Sequence, residues 1–273
     1  MIPSHSFAAL LTQVEALCLE AGAMALSQFR LGQQTTAKVW SKAGGSPVTE
    51  ADVTVDTFLK IRLSELMPDA AWLSEETADD HVRLGARHVW VVDPIDGTRA
   101  FMAGLPDWAV CAALLENDRP VLGVVHAPAH GATYAALEGS GATRNGVALA
   151  VSLDGNLAGA RIAGPRPMQD ALERLQPHVL AAKIPSLALR LAYVADGQID
   201  AGLVSPDSRD WDLAAADLIL SEAGGLVTGT DGNRLVYNRA DPVHGVLVAS
   251  TAARHPPLLS LMQRLREMQG SRA

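Results

Sequence analysis

The run Val91-Val92-Asp93-Pro94-Ile95-Asp96-Gly97-Thr98 places two carboxylates three residues apart around a proline, directly after an apolar stretch. Pro94 fixes the turn and offers no N–H, and Gly97 lets the backbone pass close to a ligand. Two carboxylates aimed at one point repel unless a cation sits between them. Carboxylate oxygens with a backbone carbonyl form the ligand set that hard Mg²⁺ prefers. The N–H groups of Gly97 and Thr98, where they open a helical turn, face an anion. Cation ligands and an anion cradle this close together suggest metal-assisted phosphoryl chemistry. The same residues also suit an Asp-rich β-turn in which Asp96 merely caps.

Three further acidic sites accompany this one. Ser74-Glu75-Glu76 follows a short apolar run, Thr49-Glu50-Ala51-Asp52 opens a helical pattern, and Asp210-Trp211-Asp212 opens another. Taken singly, an aspartate at a helix start is a cap, and paired glutamates after a strand are solvated surface. The signal is their joint order. The chain has no HExxH and no nucleophilic Cys or Ser motif, so water rather than a side chain is the expected attacking group. None of the eight histidines pairs at ligand spacing, and His126 and His244, at strand ends, read as structural.

The elements that must position these residues follow from periodicity. Apolar residues at Phe7, Leu10, Leu11, Val14, Leu17, Cys18, Ala21 and Ala25 predict a helix over about 7–29. Trp40 to Pro47 reads as a flexible Gly-rich loop. Thr49 then caps a second helix, with Asp52 completing a capping box, which stops near Pro68. Short strands are expected at 71–73 and 88–92, followed by an antiparallel meander at 108–115, 120–126 and 133–137. The Ala/Gly-rich stretch 145–160 is the expected lobe boundary, dividing the chain into 1–150, with most of the acidic sites, and 151–273, which contributes Asp212. Beyond it, helices are expected at 168–175, 186–195, 212–222 and 257–268, with strands at 201–204 and 246–249. The sum is a layered α/β or α+β fold with two lobes.

With these pieces in order, the chain resembles the inositol monophosphatase superfamily of Mg²⁺-dependent, lithium-sensitive phosphatases. The resemblance rests on Glu75-Glu76, on Asp93-Pro-Ile-Asp-Gly-Thr98, and on Trp211-Asp212-x-Ala-Ala followed by Glu222-Ala-Gly-Gly225. It implies a layered αβαβα sandwich, a homodimer, and two or three Mg²⁺ per site. It further implies that Glu75, Asp93 and the Ile95 carbonyl hold a first Mg²⁺, that Asp93, Asp96 and Asp212 hold a second, and that a looser third lies near Glu75. Thr98, hydrogen-bonded to Asp52, would orient the attacking water, the Gly97 and Thr98 amides would grip phosphate, and Glu76 would stand just behind the ligands. Metal-free protein is accordingly expected to be less stable than the Mg²⁺ form.

The substrate is narrowed by departures from the pattern. Inositol-specific members carry a glutamate seven residues before the aspartate of the Trp-Asp motif, where this chain has Ser205. Histidinol-phosphate phosphatases share a run like Asp96-Gly-Thr-Arg-Ala-Phe101, but many have Tyr-Asp in place of Trp211-Asp212. The combination of Trp40 to Asp52, Leu73-Ser-Glu-Glu-Thr77 and Asp96 to Phe101 looks most like bacterial 3′(2′),5′-bisphosphate nucleotidases, which convert 3′-phosphoadenosine 5′-phosphate to AMP and phosphate. Lys42, Arg99 and Arg209 are the candidate cations for a doubly charged nucleotide, and all three equally suit ordinary surface charge. A catalytically silent partner protein on the same fold is the competing class. The intact set of mutually repelling carboxylates opposes it.

Composition bounds the rest. The 273 residues are 48% hydrophobic and 19% charged, which excludes global disorder. A net charge of −8 without a basic run opposes a nucleic-acid polymer or an anionic membrane as partner and leaves a small phosphorylated metabolite. Two distant cysteines, Cys18 and Cys111, exclude a disulfide scaffold and fit a reducing compartment. Glu15 and Glu20 interrupt the first apolar stretch, so neither a signal peptide nor a span is expected, and the expected location is cytoplasmic.

Overall fold

The computed structural model describes residues 4–42 and 44–270. The first half runs α1 (Ser4–Gln28), β1 (Val39–Ser41), β2 (Pro47–Thr49), α2 (Glu50–Leu66), β3 (Ala71–Ser74), β4 (His88–Asp96), α3 (Thr98–Ala103), β5 (Ala109–Glu116), β6 (Arg119–Ala127), β7 (Ala132–Leu137), β8 (Gly141–Arg144) and β9 (Val147–Ala148). The second half runs β10 (Arg161–Ala163), α4 (Arg166–Glu173), β11 (Val179–Leu180), α5 (Leu187–Ala195), β12 (Ala201–Val204), β13 (Ser208–Arg209), α6 (Asp210–Glu222), β14 (Gly225–Gly229), β15 (Val243–His244), β16 (Leu247–Thr251) and α7 (His255–Gly270).

Alternation within single strands generates the layers, because successive side chains leave a strand on opposite faces. In β4, Trp90 and Val92 join one core with α1 and α2, whereas Val89 and Val91 join another with α5 and α6. The sheet they belong to has seven strands in the order β3-β4-β5-β6-β7-β8-β9, antiparallel apart from the parallel β3–β4 pair. In β16, Leu247 and Ala249 share the α5/α6 core, while Val248 faces a third cluster with Leu172 of α4 and Leu258 and Met262 of α7. That second sheet has five strands in the order β11-β10-β12-β16-β14. Helix pair, sheet, helix pair, sheet and helix pair stack as the expected αβαβα sandwich. Gly123 of β6 permits a close approach between sheet and helix: a Cβ there would lie 2.8 Å from the Ala215 carbonyl of α6.

Several boundaries differ from expectation. The stretch around 40–47 is the turn of a small antiparallel hairpin, β1 with β2, rather than a loop throughout; Ala43 of that turn lies outside the described residues. β4 does not stop at Val92 but runs on to Asp96, with a bulge that sets Asp93 opposite Cys111 and Asp96 opposite Ala109. β10 and β14 were not expected, because short segments rich in Ala and Gly give no alternation to read. Residues Phe7–Gln28 of α1 are long and apolar enough to cross a membrane by composition, with a mean hydropathy of 1.4. Here Val14, Cys18, Ala21 and Ala25 are fully buried within the core shared with α2. The apolar face of α1 is therefore a core face.

Candidate active site

The bulged end of β4 and the first turn of α6 bring three carboxylates together. One oxygen each from Asp93, Asp96 and Asp212 lies within 4.8 Å of the others. Asp93 is 1% exposed; its Oδ1 accepts the Ile95 N–H at 3.0 Å, but its Oδ2 is buried without a partner. A buried carboxylate oxygen left without a donor is costly, and it marks where a cation would bind. An all-oxygen donor set of this charge suits a hard divalent ion. The residues therefore fit Mg²⁺ on the chemistry of their donors as well as on that orphaned oxygen.

Each carboxylate is held from behind. Asp96 Oδ2 accepts from Ser186 Oγ and, at 2.7 Å, from the Ala188 N–H at the start of α5. Asp212 is the third residue of α6, and its Oδ2 accepts the Arg209 N–H at 2.7 Å. Asp52, buried in the first turn of α2, accepts the Thr49 N–H at 2.8 Å in the expected capping box. Its Oδ1 accepts from Thr98 Oγ1 at 3.2 Å, a hydroxyl shared with the Ile95 carbonyl at 3.1 Å. Gly97 stands between the acids and Thr98 with φ 93, and a Cβ there would meet the Asp107 carbonyl at 3.0 Å, so only glycine is comfortable.

Like charge in a dry site controls the titration. Burial first, then the charges of Glu75, Asp96, Asp212 and Asp52, raise Asp93 well above the usual carboxylate range. Burial, with Asp96 the leading charge, does the same to Asp212. Asp96 is pushed up to about 6 by burial, against the bonds from Ser186 and the α5 N-terminus that lower it. Asp52 also rises to about 6, chiefly through burial and partly through Glu75.

Glu75 and Glu76 leave β3 toward the same site, but they meet a cation of the chain itself. Lys42, from the β1–β2 turn, lies 2.8 Å from Glu75 Oε1 and 2.6 Å from Glu76 Oε1. Burial nevertheless pushes Glu76 up to about 7, with Lys42 opposing it. The glutamate turn is pinned to α2 by Asp56, which accepts from Ser74 Oγ and, at 2.8 Å, from Thr77 Oγ1.

The remaining candidates lie further out. Arg99 is exposed on α3. The Arg209 guanidinium covers the Trp211 ring at 5.7 Å and reaches Asp241 at 3.9 Å. Ser205 lines a different cavity of about 800 Å³, with Pro165, Met168, Val246, Met262 and Arg266, and none of the clustered acids borders it. His126 and His244 are buried in hydrogen bonds to Thr133 (2.9 Å) and Asp210 (2.7 Å). Sequence reasoning took Ser186 only as a helix start and missed its bond to Asp96. Its one signal was a serine before Leu-Ala-Leu, which announces a cap but not the carboxylate, 90 residues away, that shares it.

Comparison with known proteins places the chain in a family. Residues 8–267 match the model of the Inositol monophosphatase family. The 3′(2′),5′-bisphosphate nucleotidase CysQ of Aggregatibacter actinomycetemcomitans is 32% identical over 235 residues, 82% of this chain and 87% of that protein. The histidinol-phosphatase of Mycobacterium tuberculosis is 32% identical over 258 residues, 90% of this chain and 95% of that protein. Among solved structures, the Thermotoga maritima IMPase superposes with a TM-score of 0.81 at 28% identity, covering 95% of this chain and 99% of that one. The chain belongs to the inositol monophosphatase family and is a phosphoric monoester hydrolase.

Proposed function

We propose that this family member is a Mg²⁺-dependent phosphatase whose preferred substrate is a 3′(2′),5′-bisphosphate nucleotide, releasing one phosphate from 3′-phosphoadenosine 5′-phosphate. The observation that carries the metal reading is the trio of buried Asp93 and Asp96 with half-buried Asp212, and its unpartnered Asp93 Oδ2. Asp93, Asp96 and Asp212 would hold one ion, and Asp93, Glu75 and the Ile95 carbonyl another. Bound there, Mg²⁺ supplies charge neutralisation at the phosphoryl oxygens and an acidified water.

The chain's own residues do the rest. The Thr98 hydroxyl, its proton shared between Asp52 and the Ile95 carbonyl, can accept a hydrogen bond from a water and orient it for attack. Asp52, poised at about 6, is ionised at neutral pH and can accept a proton passed through that hydroxyl. The Gly97 and Thr98 amides face the phosphate, and Glu76 steadies Lys42 beside the ligands. Lys42, Arg99 and Arg209 are the cations for a second phosphate.

Support for the nucleotide comes from the CysQ relative and from the Leu73-Ser-Glu-Glu-Thr77 and Asp96 to Phe101 runs. The equally similar histidinol-phosphatase keeps histidinol phosphate as the second reading. Phosphate release from 3′-phosphoadenosine 5′-phosphate, myo-inositol 1-phosphate, histidinol phosphate and fructose 1,6-bisphosphate, with and without Mg²⁺ and Li⁺, tests both. The expected outcome is Mg²⁺-dependent, Li⁺-inhibited turnover with a preference of about tenfold or more in kcat/KM for the nucleotide. A higher kcat/KM on any other member of the panel would overturn the substrate.

A further inference from the structure

A second polar network lies behind the acids, and the reading above gives it no role. Asp210 opens α6 two residues before Asp212 and is fully buried. Both its oxygens are used: Oδ2 accepts the Asn238 N–H at 2.7 Å and Oδ1 meets His244 Nε2 at 2.7 Å, while its own N–H donates to the Pro242 carbonyl at 3.0 Å. The first turn of α6 is thus bolted to residues 238–244.

Asn238 carries the connection onward. Its backbone sits at φ 56, where asparagine is tolerated, so its N–H points to Asp210 while its side chain points away. That side chain accepts from Arg83 Nη1 at 2.8 Å and donates to the Arg83 carbonyl at 3.1 Å and to Asp118 at 2.7 Å. Arg83, 1% exposed, spends its other donors on Asp79 (Nη2 to Oδ2, 2.6 Å) and on the Arg239 carbonyl at 3.0 Å. Asp79 and Arg83 belong to the β3–β4 connection that begins with Glu75 and Glu76.

We propose that Arg83 and Asn238 are positioning residues for phosphate hydrolysis: through Asp210 they lock the glutamate-bearing connection to the first turn of α6 and so set where Asp212 stands against the other acids. Removing one partner of a buried ionic network is strongly destabilising, so stability has to be followed beside metal affinity. Groups that orient metal ligands from behind alter metal affinity by about 10–100-fold when removed. The proposal rests on Asp212 holding the ion.

The test is Mg²⁺ affinity by isothermal titration calorimetry on the full chain, with metal-free melting temperature measured alongside. Asn238→Gly keeps the left-handed backbone and the N–H to Asp210 but deletes the bridge, and Arg83→Met deletes its other half. Asp212→Asn serves as the reference for ligand loss. Leu172→Ala, in the outer α4/α7 layer, serves as a control that lowers stability away from the site. Expected are Mg²⁺ dissociation constants raised about tenfold in Asn238→Gly and Arg83→Met, and unchanged in Leu172→Ala. If Asp212→Asn weakens binding while Asn238→Gly and Arg83→Met bind as wild type, the positioning role is overturned and the metal reading stands. If Asp212→Asn itself binds Mg²⁺ as wild type, the ligand reading fails and takes the proposal with it.

Discussion

Two sets of buried carboxylates in this protein have opposite fates. Asp200, 9% exposed on the outer sheet, is met by Arg161 at 3.0 Å and Arg254 at 3.4 Å, and these pairs outweigh its burial and hold its carboxyl below the usual range. Asp93, Asp96 and Asp212 sit in a drier setting; their hydrogen bonds come from backbone amides and a serine hydroxyl, the Arg209 charge eases Asp212 only in part, and all three are raised. Lys42, from the β1–β2 turn, pairs with Glu75 and Glu76. The two regions differ in desolvation and in whether an arginine pairs directly with the acid. Where the chain supplies an arginine, the acid is a structural tie. Where no arginine pairs directly, the fold keeps like charges together at a cost that a proton or an external cation relieves.

The comparison is broken most severely at its centre. Asp93→Asn removes the most deeply buried carboxylate of the trio, and turnover of the best substrate should fall on the order of 10³-fold, from several kcal/mol of lost transition-state stabilisation. The same variant, measured without metal at pH 7.5, should melt at a higher temperature than wild type, since one of the repelling charges is gone. A metal-free melting temperature lowered by this substitution would contradict the account of the cluster as strained.

A smaller effect is expected from pH. Asp52 and Asp96 titrate near 6 when folded and near 3.8 when unfolded, so the folded state holds protons that the unfolded state has lost. Their contribution to stability is present below about pH 4 and disappears as pH rises through about 6. Metal-free protein should therefore gain stability on going from pH 7 to pH 5 through these groups. The melting shift produced by Mg²⁺ should widen in the other direction, reaching about 5 °C at saturating metal and neutral pH. A Mg²⁺ shift that is equal at pH 5 and pH 7 would show that the ion does not meet these carboxylates.

The mildest change sharpens the contrast from the other side. Asp200→Asn should lower stability by about 1–3 kcal/mol, because it leaves Arg254 with Asp154 as its remaining acid, and should leave the Mg²⁺ dependence of turnover untouched. Urea unfolding and a Mg²⁺ titration of rate on the same variant check both halves.

Much of this arrangement was legible from local pattern. The Thr49–Asp52 capping box follows from four adjacent residues, and the Asp93 to Thr98 turn from a proline and a glycine between two acids. The meander β5–β6–β7 was visible because its strands are long and bounded by turn residues. The extension of β4 to Asp96 was not, since a proline inside the run argues for a stop and only the bulge against β5 accommodates it. Ser205 was expected near substrate because the resemblance puts an inositol-contacting glutamate seven residues before the Trp-Asp aspartate, yet it lines the cavity between α4 and α7. Proximity along the chain is not proximity in space once a strand and a helix turn intervene.

Residue type and spacing alone therefore established the chemistry on offer: which carboxylates exist, that glycine and proline shape their turn, and that no cysteine or histidine set competes. That information is local, carried by backbone preferences and donor chemistry within a few residues. The partners of each carboxylate arose only in the folded chain, where Ser186 reaches Asp96 across 90 positions and Arg83 reaches Asn238 across 155. Such pairings depend on how two sheets and three helix layers pack. Packing is a sum over many weak apolar contacts, and no short stretch of sequence contains it.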